Sequence, residues 1–440
     1  MSLPAPASIV VIALLFFTTA ARAQPVTLAE AIRQAEASGP SVAAKDLAFD
    51  SARYRYNASL AELGPRLNLS ADYQRWNSPI NFAFDLPKEL KDALGLQDFK
   101  PTQSVVRQQD TYSASVNVVQ PITPLISLGL VSQLQKLNVD QAQMAAVAER
   151  RRTRLAVIDS FYGVLKLRRI VATMAGLEKA AAIHLEHAER YEAVGLLKRD
   201  DVLRIRVRLD SLRQELDLVR AGADVQCSHL ALLMGLPVQA SLDPVEGEDP
   251  PAIPEALDVC IADAIQHRVE LKQARIAIGM AETARSLKIA SWIPTLTGIF
   301  SYSQTTPSEF SRSTSWFAGV SAQWTPWDWG KTFLESRAAH SDVLAARQTV
   351  AQAEDLITLE VKANWLAAQT AKNGIPRAIV SVEQARENLR IQFERARQNL
   401  NTTADVLDAQ ALLLQAEAES TGAEYLWRVA REKLYDSMGR

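Results

Sequence analysis

The stretch Leu67-Asn68-Leu69-Ser70-Ala71-Asp72-Tyr73-Gln74 alternates apolar and polar residues without a break, and Tyr112-Ser113-Ala114-Ser115-Val116-Asn117-Val118 does so again. A period of two puts one set of side chains on each face of a strand. A second pair of segments repeats the pattern. Leu296, Gly298, Phe300 and Tyr302 stand against Thr295, Thr297, Ser301 and Ser303, and Trp316, Ala318, Val320, Ala322 and Trp324 stand against Ser315, Ser321 and Gln323. Alternation of this length fits a transmembrane barrel strand, apolar toward lipid and polar toward a wet lumen. A half-buried sheet of a soluble domain alternates identically. The small, hydroxylated character of one residue set, and the export signal described below, favour the barrel. Trp76, Trp316, Trp324, Trp327 and Trp329 cluster at strand ends, where an aromatic girdle meets the membrane interfaces. Four strands cannot close a barrel, and lipid does not tolerate an open sheet edge. Several chains must then pool their strands, and three chains giving twelve strands is the smallest sensible closure.

Outward from these strands the chain reads as long helices. Ala, Leu, Gln, Glu and Arg recur over long stretches and Gly numbers only 17, which argues against a glycine-punctuated α/β enzyme. From Asp201, the residues Val202, Ile205, Leu209, Leu212, Leu216, Val219, Ala223, Leu230 and Leu233 keep a three-four spacing broken only by Gln226. Val406, Ala409, Leu413, Ala416, Ala423, Trp427, Ala430 and Leu434 do the same, with Ser420 as the break. Leu134, Leu137, Met144, Ala148, Leu155, Ile158, Tyr162 and Leu165 form a third stripe, with Gln141 and Arg151 as exceptions. A sustained seven-residue repeat predicts coiled-coil packing. The helix expected from about Leu125 to Gly195 would span about 100 Å at 1.5 Å per residue. A helix from Thr27 is expected to run to about residue 62, opened by a capping box of Thr27 and Glu30 and stopped before Gly64-Pro65. Gly374-Ile375-Pro376 is expected to interrupt and bend the long helix of the second half.

These elements occur twice. A shift of 229 lays Leu28, Ile32, Ala35, Pro65 and Tyr73 onto Leu257, Ile261, Ala264, Pro294 and Tyr302, and a shift of 204 lays Asp201-Val202-Leu203 onto Asp405-Val406-Leu407. The first repeat is read as 24–235 and the second as 256–440. Each holds a helix, a strand pair and a long helical hairpin, with hairpin tips near 195–201 and 399–405. Residues 236–255, rich in proline, read as a linker, and 77–110, with a helix-like stretch Pro87–Leu96, as a long extracellular loop.

The apolar run Ile9 to Phe17 is too short to span a bilayer, and Ala21-Arg22-Ala23 fits the cleavage rule of a secretory signal, so residues 1–23 are read as a signal peptide. Cys227 and Cys260 are too few for a disulfide scaffold and are left as either a pair or two buried thiols. Lys and Arg number 48 against 50 Asp and Glu, a balance that argues against a nucleic-acid partner.

The whole pattern resembles the TolC family of outer-membrane efflux proteins. The resemblance rests on Thr27-Leu28 with Ala31-Ile32, Pro65 with Leu67 and Leu69, Gln120-Pro121-Ile122, Val194-Gly195-Leu196 and Asp201-Val202-Leu203. In the second repeat it rests on Pro294 with Leu296, Trp324 with Pro326, and Asp405-Val406-Leu407-Asp408-Ala409. It implies a mainly α chain with a transmembrane β-barrel: a homotrimer whose four strands per chain close a twelve-stranded barrel, continued by a long α-helical coiled-coil barrel. It implies a passive outer-membrane channel of a tripartite efflux or type I secretion system, in outer-membrane lipid, docked to a periplasmic adaptor and an inner-membrane pump. It further implies an acidic ring at the periplasmic aperture from Asp405, Asp408 and Asp201, although Asp405 also suits a helix cap. Adaptor contacts would fall at Gly195, Leu196, Lys198, Leu400 and Thr402. Some relatives carry an arginine where Asn401 stands, which puts a salt-bridge lock in doubt.

No phosphate loop, nucleophile elbow or HExxH occurs, so neither an enzyme nor a cofactor is expected. His184 and His187, three apart on a helix, lack a third ligand in register and are read as surface residues, so no metal site is expected. A periplasmic coiled-coil adaptor or scaffold is the rival reading, and it leaves the duplicated strand pairs unexplained.

Overall fold

A computed structural model describes residues 24–96, 98, 100, 102–247, 256–307, 312–398 and 400–440. The expected signal peptide 1–23 lies outside them, as do residues 248–255 of the expected linker and Asn399 at the second hairpin tip. In chain order the first half runs β1 (Gln24–Val26), α1 (Leu28–Ser38), α2 (Pro40–Ala61), β2 (Arg66–Arg75), β3 (Ile80–Phe84), α3 (Lys88–Ala93), β4 (Thr102–Arg107), β5 (Asp110–Pro121), α4 (Pro124–Ala193) and α5 (Arg199–Leu233). The second half runs β6 (Leu242–Pro244), α6 (Leu257–His267), α7 (Val269–Ala290), β7 (Thr295–Thr305), β8 (Thr314–Gln323), α8 (Lys331–Arg397) and α9 (Thr403–Ser437). A shift of 229 carries α1 onto α6 and α2 onto α7, residue for residue, and a shift of 204 carries α5 onto α9.

Two compact units form. One comprises residues up to Lys45, Ala146–Val269 and Glu354–Arg440; the other comprises Asp46–Ala145 and Glu270–Ala353.

In the first unit the single helix expected from Thr27 to about 62 is two helices. The capping box is present, with Thr27 N–H donating to Glu30 at 3.0 Å. The helix stops at Gly39, whose ψ of 128° is extended, because the ring of Pro40 disfavours the helical region for the residue before it. Arg268 takes the same conformation in the second repeat, φ −60° and ψ 128°, with no proline after it. There the break is held from outside: Arg268, only 6% exposed, donates to both oxygens of Glu360 on α8, at 3.0 and 2.7 Å. The expected linker is also partly regular, since β6 within it pairs in parallel with β1, placing Gln24 opposite Leu242. Val26 and Leu242 thereby join a core with Ala31, Ala35, Phe161, Leu230 and Met234.

The seam on α5 is buried at Val202, Ile205, Leu209, Leu212, Leu216, Ala223 and Leu230. Its break, Gln226, is accommodated. Gly163 leaves the room, since a Cβ there would lie 3.0 Å from Gln226 Nε2, and that amide donates to Ser160 Oγ at 3.2 Å. Arg151, an exception on α4, donates to Asp436 Oδ1 at 3.1 Å. Pro376 does not interrupt α8, which runs unbroken through it. Proline removes only one backbone bond, and the flanking turns keep theirs. Cys227 and Cys260 are both free thiols, the first half-buried and the second buried.

The second unit holds one four-stranded antiparallel sheet in the order β2-β5-β7-β8. The segment 77–110, expected as a loop, carries a second antiparallel hairpin of β3 and β4 with α3 between them. Alternation there is weak, so the pairing left little trace in the sequence.

Candidate functional site

The strand register sorts the alternating residues into two faces. Leu69, Val116, Tyr302 and Trp316 lie opposite one another across all four strands, and Leu67, Val118, Phe300 and Ala318 form the next apolar row. Next to the first of these rows, on the other face, Ser70, Ser115, Ser303 and Ser315 make a line of hydroxyls across the whole sheet. Ser70 and Ser115 share a bond of 2.8 Å, as do Ser303 and Ser315, and Asn117 connects to Ser115 at 2.9 Å and to Ser301 at 2.7 Å. One face is thus a hydrocarbon surface and the other satisfies its polar groups laterally while staying open to solvent. Phe317 is the departure, an exposed ring on the hydroxyl face opposite Ser301.

The expected girdle residues separate into levels. Trp316 lies on the apolar face near the start of β8 and Trp324 follows just past its end with the same parity, about 27 Å further on at ~3.4 Å per residue. At a tilt near 40° this is roughly 20 Å of height, comparable to the apolar band of a membrane barrel. Trp327 follows Trp324 in the turn into α8 and is exposed. Trp76 stands at the end of the sheet far from α2, α4, α7 and α8. It donates to Thr111 Oγ1 at 3.1 Å, with the Arg107 guanidinium 3.7 Å from its ring centroid.

The two hairpin tips belong to the first unit and differ in detail. Gly195 has φ 77°, which lets Leu196 N–H reach Tyr191 O at 2.9 Å and turn the chain; Leu196 projects, 73% exposed. Lys198 occupies the N-cap of α5 but makes no side-chain capping bond. At the equivalent place in the second tip Thr402 does cap α9, and Asp405 completes a reciprocal box, accepting from Thr402 N–H at 2.7 Å and from its hydroxyl at 2.8 Å. The helix cap is therefore Thr402 and not Asp405, which sits three positions inside. Thr402 N–H, then its hydroxyl, hold the Asp405 carboxyl below the usual carboxylate range. Asp408 is exposed one turn further on, Asp201 is half-buried at the matching place of the first tip, and Leu400 is exposed. Asn401 Nδ2 donates to the Gln392 carbonyl at 3.0 Å and to its side-chain oxygen at 2.8 Å, tying the turn to its own helix α8. Nothing in the sequence pattern singled out Gln392; only the fold brings it to Asn401. His187 is exposed, but His184 is half-buried. It packs edge-on against Phe393 of α8 at 5.8 Å, and burial, with the neighbouring His187, pushes its pKa down.

Residues 31–236 and 260–440 match the profile of the family described as outer membrane efflux protein. Nodulation protein T of Rhizobium leguminosarum bv. trifolii is 24% identical over 303 residues, which cover 66% of this chain and 62% of that protein. Outer membrane protein TolC of Vibrio cholerae is 23% identical over 434 residues, covering 94% of this chain and 90% of the relative. The crystal structure of the outer membrane protein VceC, also from Vibrio cholerae, superposes with a TM-score of 0.73 at 16% identity, over 94% of this chain and 96% of that one. At such identity the last likeness speaks for the fold. The profile spans both halves of the chain, as the paired strands and paired hairpins require, and the adaptor reading is set aside. The chain belongs to the outer membrane efflux protein family, the TolC-like channels of the outer membrane.

Proposed function

We propose that three copies of this chain close a barrel and conduct substrates passively outward from a periplasmic adaptor and an inner-membrane pump. The observation that carries this reading is the open sheet. β2 and β8 are its outer strands, and their order and antiparallel sense let β8 of one copy pair with β2 of the next. A sheet with one hydrocarbon face cannot leave two bare edges in lipid, and three copies supply twelve strands with none left over. In this assembly the hydroxyl face lines the lumen, Trp76, Trp316, Trp324 and Trp327 form the girdle, and the tips at Gly195, Leu196, Lys198, Leu400 and Thr402 meet the adaptor. The native mass of the detergent-extracted outer-membrane protein is expected at three times that of the mature chain; a monomer would overturn the reading.

Asp405, Asp408 and Asp201 from three copies would surround the aperture with negative charge and favour cations. A carboxyl held below its ordinary pKa stays ionised as the pH falls, until the pH passes that lowered value. Thr402→Val removes the hydroxyl bond and returns Asp405 toward the ordinary range. Cation selectivity of single channels is therefore expected to fade at a higher pH in Thr402→Val than in the natural protein. Asp405→Asn with Asp408→Asn is expected to lower it wherever these carboxyls are ionised, neutral pH included, and unchanged selectivity there in that double variant would remove the ring.

A further inference from the structure

Trp329 is the one residue other than glycine with a positive φ among those described, at 58°, and its side chain is 87% exposed. A left-handed backbone is unfavourable for a bulky residue. The conformation is imposed by Asp328, whose carboxylate accepts from Gly330 N–H at 3.1 Å and from Thr332 N–H at 2.8 Å, closing the first turn of α8. The strained turn aims the indole away from the protein. Its ring neighbour is Trp327, at a centroid distance of 5.9 Å, which is itself exposed. In water such an arrangement gains little.

The apolar row of β8 does not end with the strand. Trp324 continues its parity, and Trp327, Trp329 and Phe333 carry exposed aromatic surface onto α8. Cations stand among them: the Arg337 guanidinium lies 5.7 Å from the Phe333 ring, and Lys331 is exposed with Glu335 at 3.9 Å. The matching junction of the first repeat, Gln120-Pro121-Ile122-Thr123, has no aromatic residue. Rings with one polar edge, flanked by cations, suit the layer where acyl chains meet phosphate. The four helices α2, α4, α7 and α8 join the sheet at the same end, so this layer is that of the periplasmic leaflet.

We propose that the β8–α8 turn and the first two turns of α8 form a membrane foot. Trp327, Trp329 and Phe333 enter the phospholipid headgroup layer, and Lys331 and Arg337 stand at the phosphates. Each copy carries one foot, from the second repeat alone. The inference rests on the barrel reading and extends membrane contact from strand to helix.

The test uses the full chain in phospholipid vesicles with bromine either near the glycerol end or deep in the acyl chains. Two proteins retain a single tryptophan, Trp329 or Trp324, with the others replaced by phenylalanine. Shallow bromine is expected to quench both, and aqueous iodide to quench Trp329 little. Quenching of Trp324 without Trp329 overturns the foot and leaves the barrel standing; quenching of neither overturns both. A Trp329 shielded from bromine and iodide alike would be covered by another copy, which also overturns the foot. Trp329→Gly in the otherwise native chain releases the strained backbone and gives an independent reading where the multiple variants fail to fold. The emission it removes is expected to be bromine-quenched, and iodide-quenched emission in its place sinks the proposal.

Discussion

Gly235→Ala is expected to destabilise the helical unit by about 3 kcal/mol or more, and Gly195→Ala by only about 1 kcal/mol. Both glycines end a long helix with a positive φ, 72° and 77°. A methyl group at Gly195 would meet nothing within 4 Å, so the cost is that of the left-handed backbone alone. At Gly235 the same methyl would lie 2.3 Å from the carbonyl oxygen of Ser38, a backbone atom at the end of α1. That oxygen cannot retreat without pulling α1 off the core built on Ala31, Ala35 and Leu230. Urea melts followed by circular dichroism at the helix band measure the difference. Equal shifts would mean that α1 is loosely held.

Val320→Arg is expected to abolish the folded oligomer in the outer membrane, while Ser321→Arg leaves it assembled with altered conductance. The residues are neighbours on β8 and face opposite ways. Val320 lies midway between Trp316 and Trp324 on the apolar row and is exposed in the single chain. An arginine at the bilayer midplane of a barrel costs about 2–4 kcal/mol, and assembly would multiply it by the number of copies. Ser321 lies opposite Thr297 on the hydroxyl face, where a charge meets water. The yield of native oligomer, compared with the current through single channels, separates the two. If both variants assemble equally, the apolar face does not meet lipid.

The strands and the long helices were legible because each has a short repeat that every residue reinforces. An alternation broken at one position still reads as a strand, and a seam broken at Gln226 still reads as a seam. The capping box at Thr27 was equally plain, since its two partners are three residues apart. The helix break at Gly39 was missed, although the proline that follows it marks the place.

The tips were legible only in outline. Their positions follow from Gly195 and from the duplicated Asp-Val-Leu, but Asp405 reads equally as a cap and as a ring charge. The assignment of capping to Thr402 came with the bond distances. His184 looked like a solvent-facing residue because a helix seven-repeat gives no view of the neighbouring hairpin, and Phe393 lies on that neighbour.

Residue order alone carried the faces of the sheet, the seams of the helices and the twofold repetition, because these depend on contacts that recur at constant spacing. Packing between distant segments set the rest. β1 and β6 are three residues each, too short to show any period, and exist as strands because each supplies the other's backbone bonds. Arg268 breaks a helix that its own neighbours would continue, because Glu360 holds its guanidinium in a buried corner. In each case the stabilising partner lies far along the chain, so no local pattern announces it.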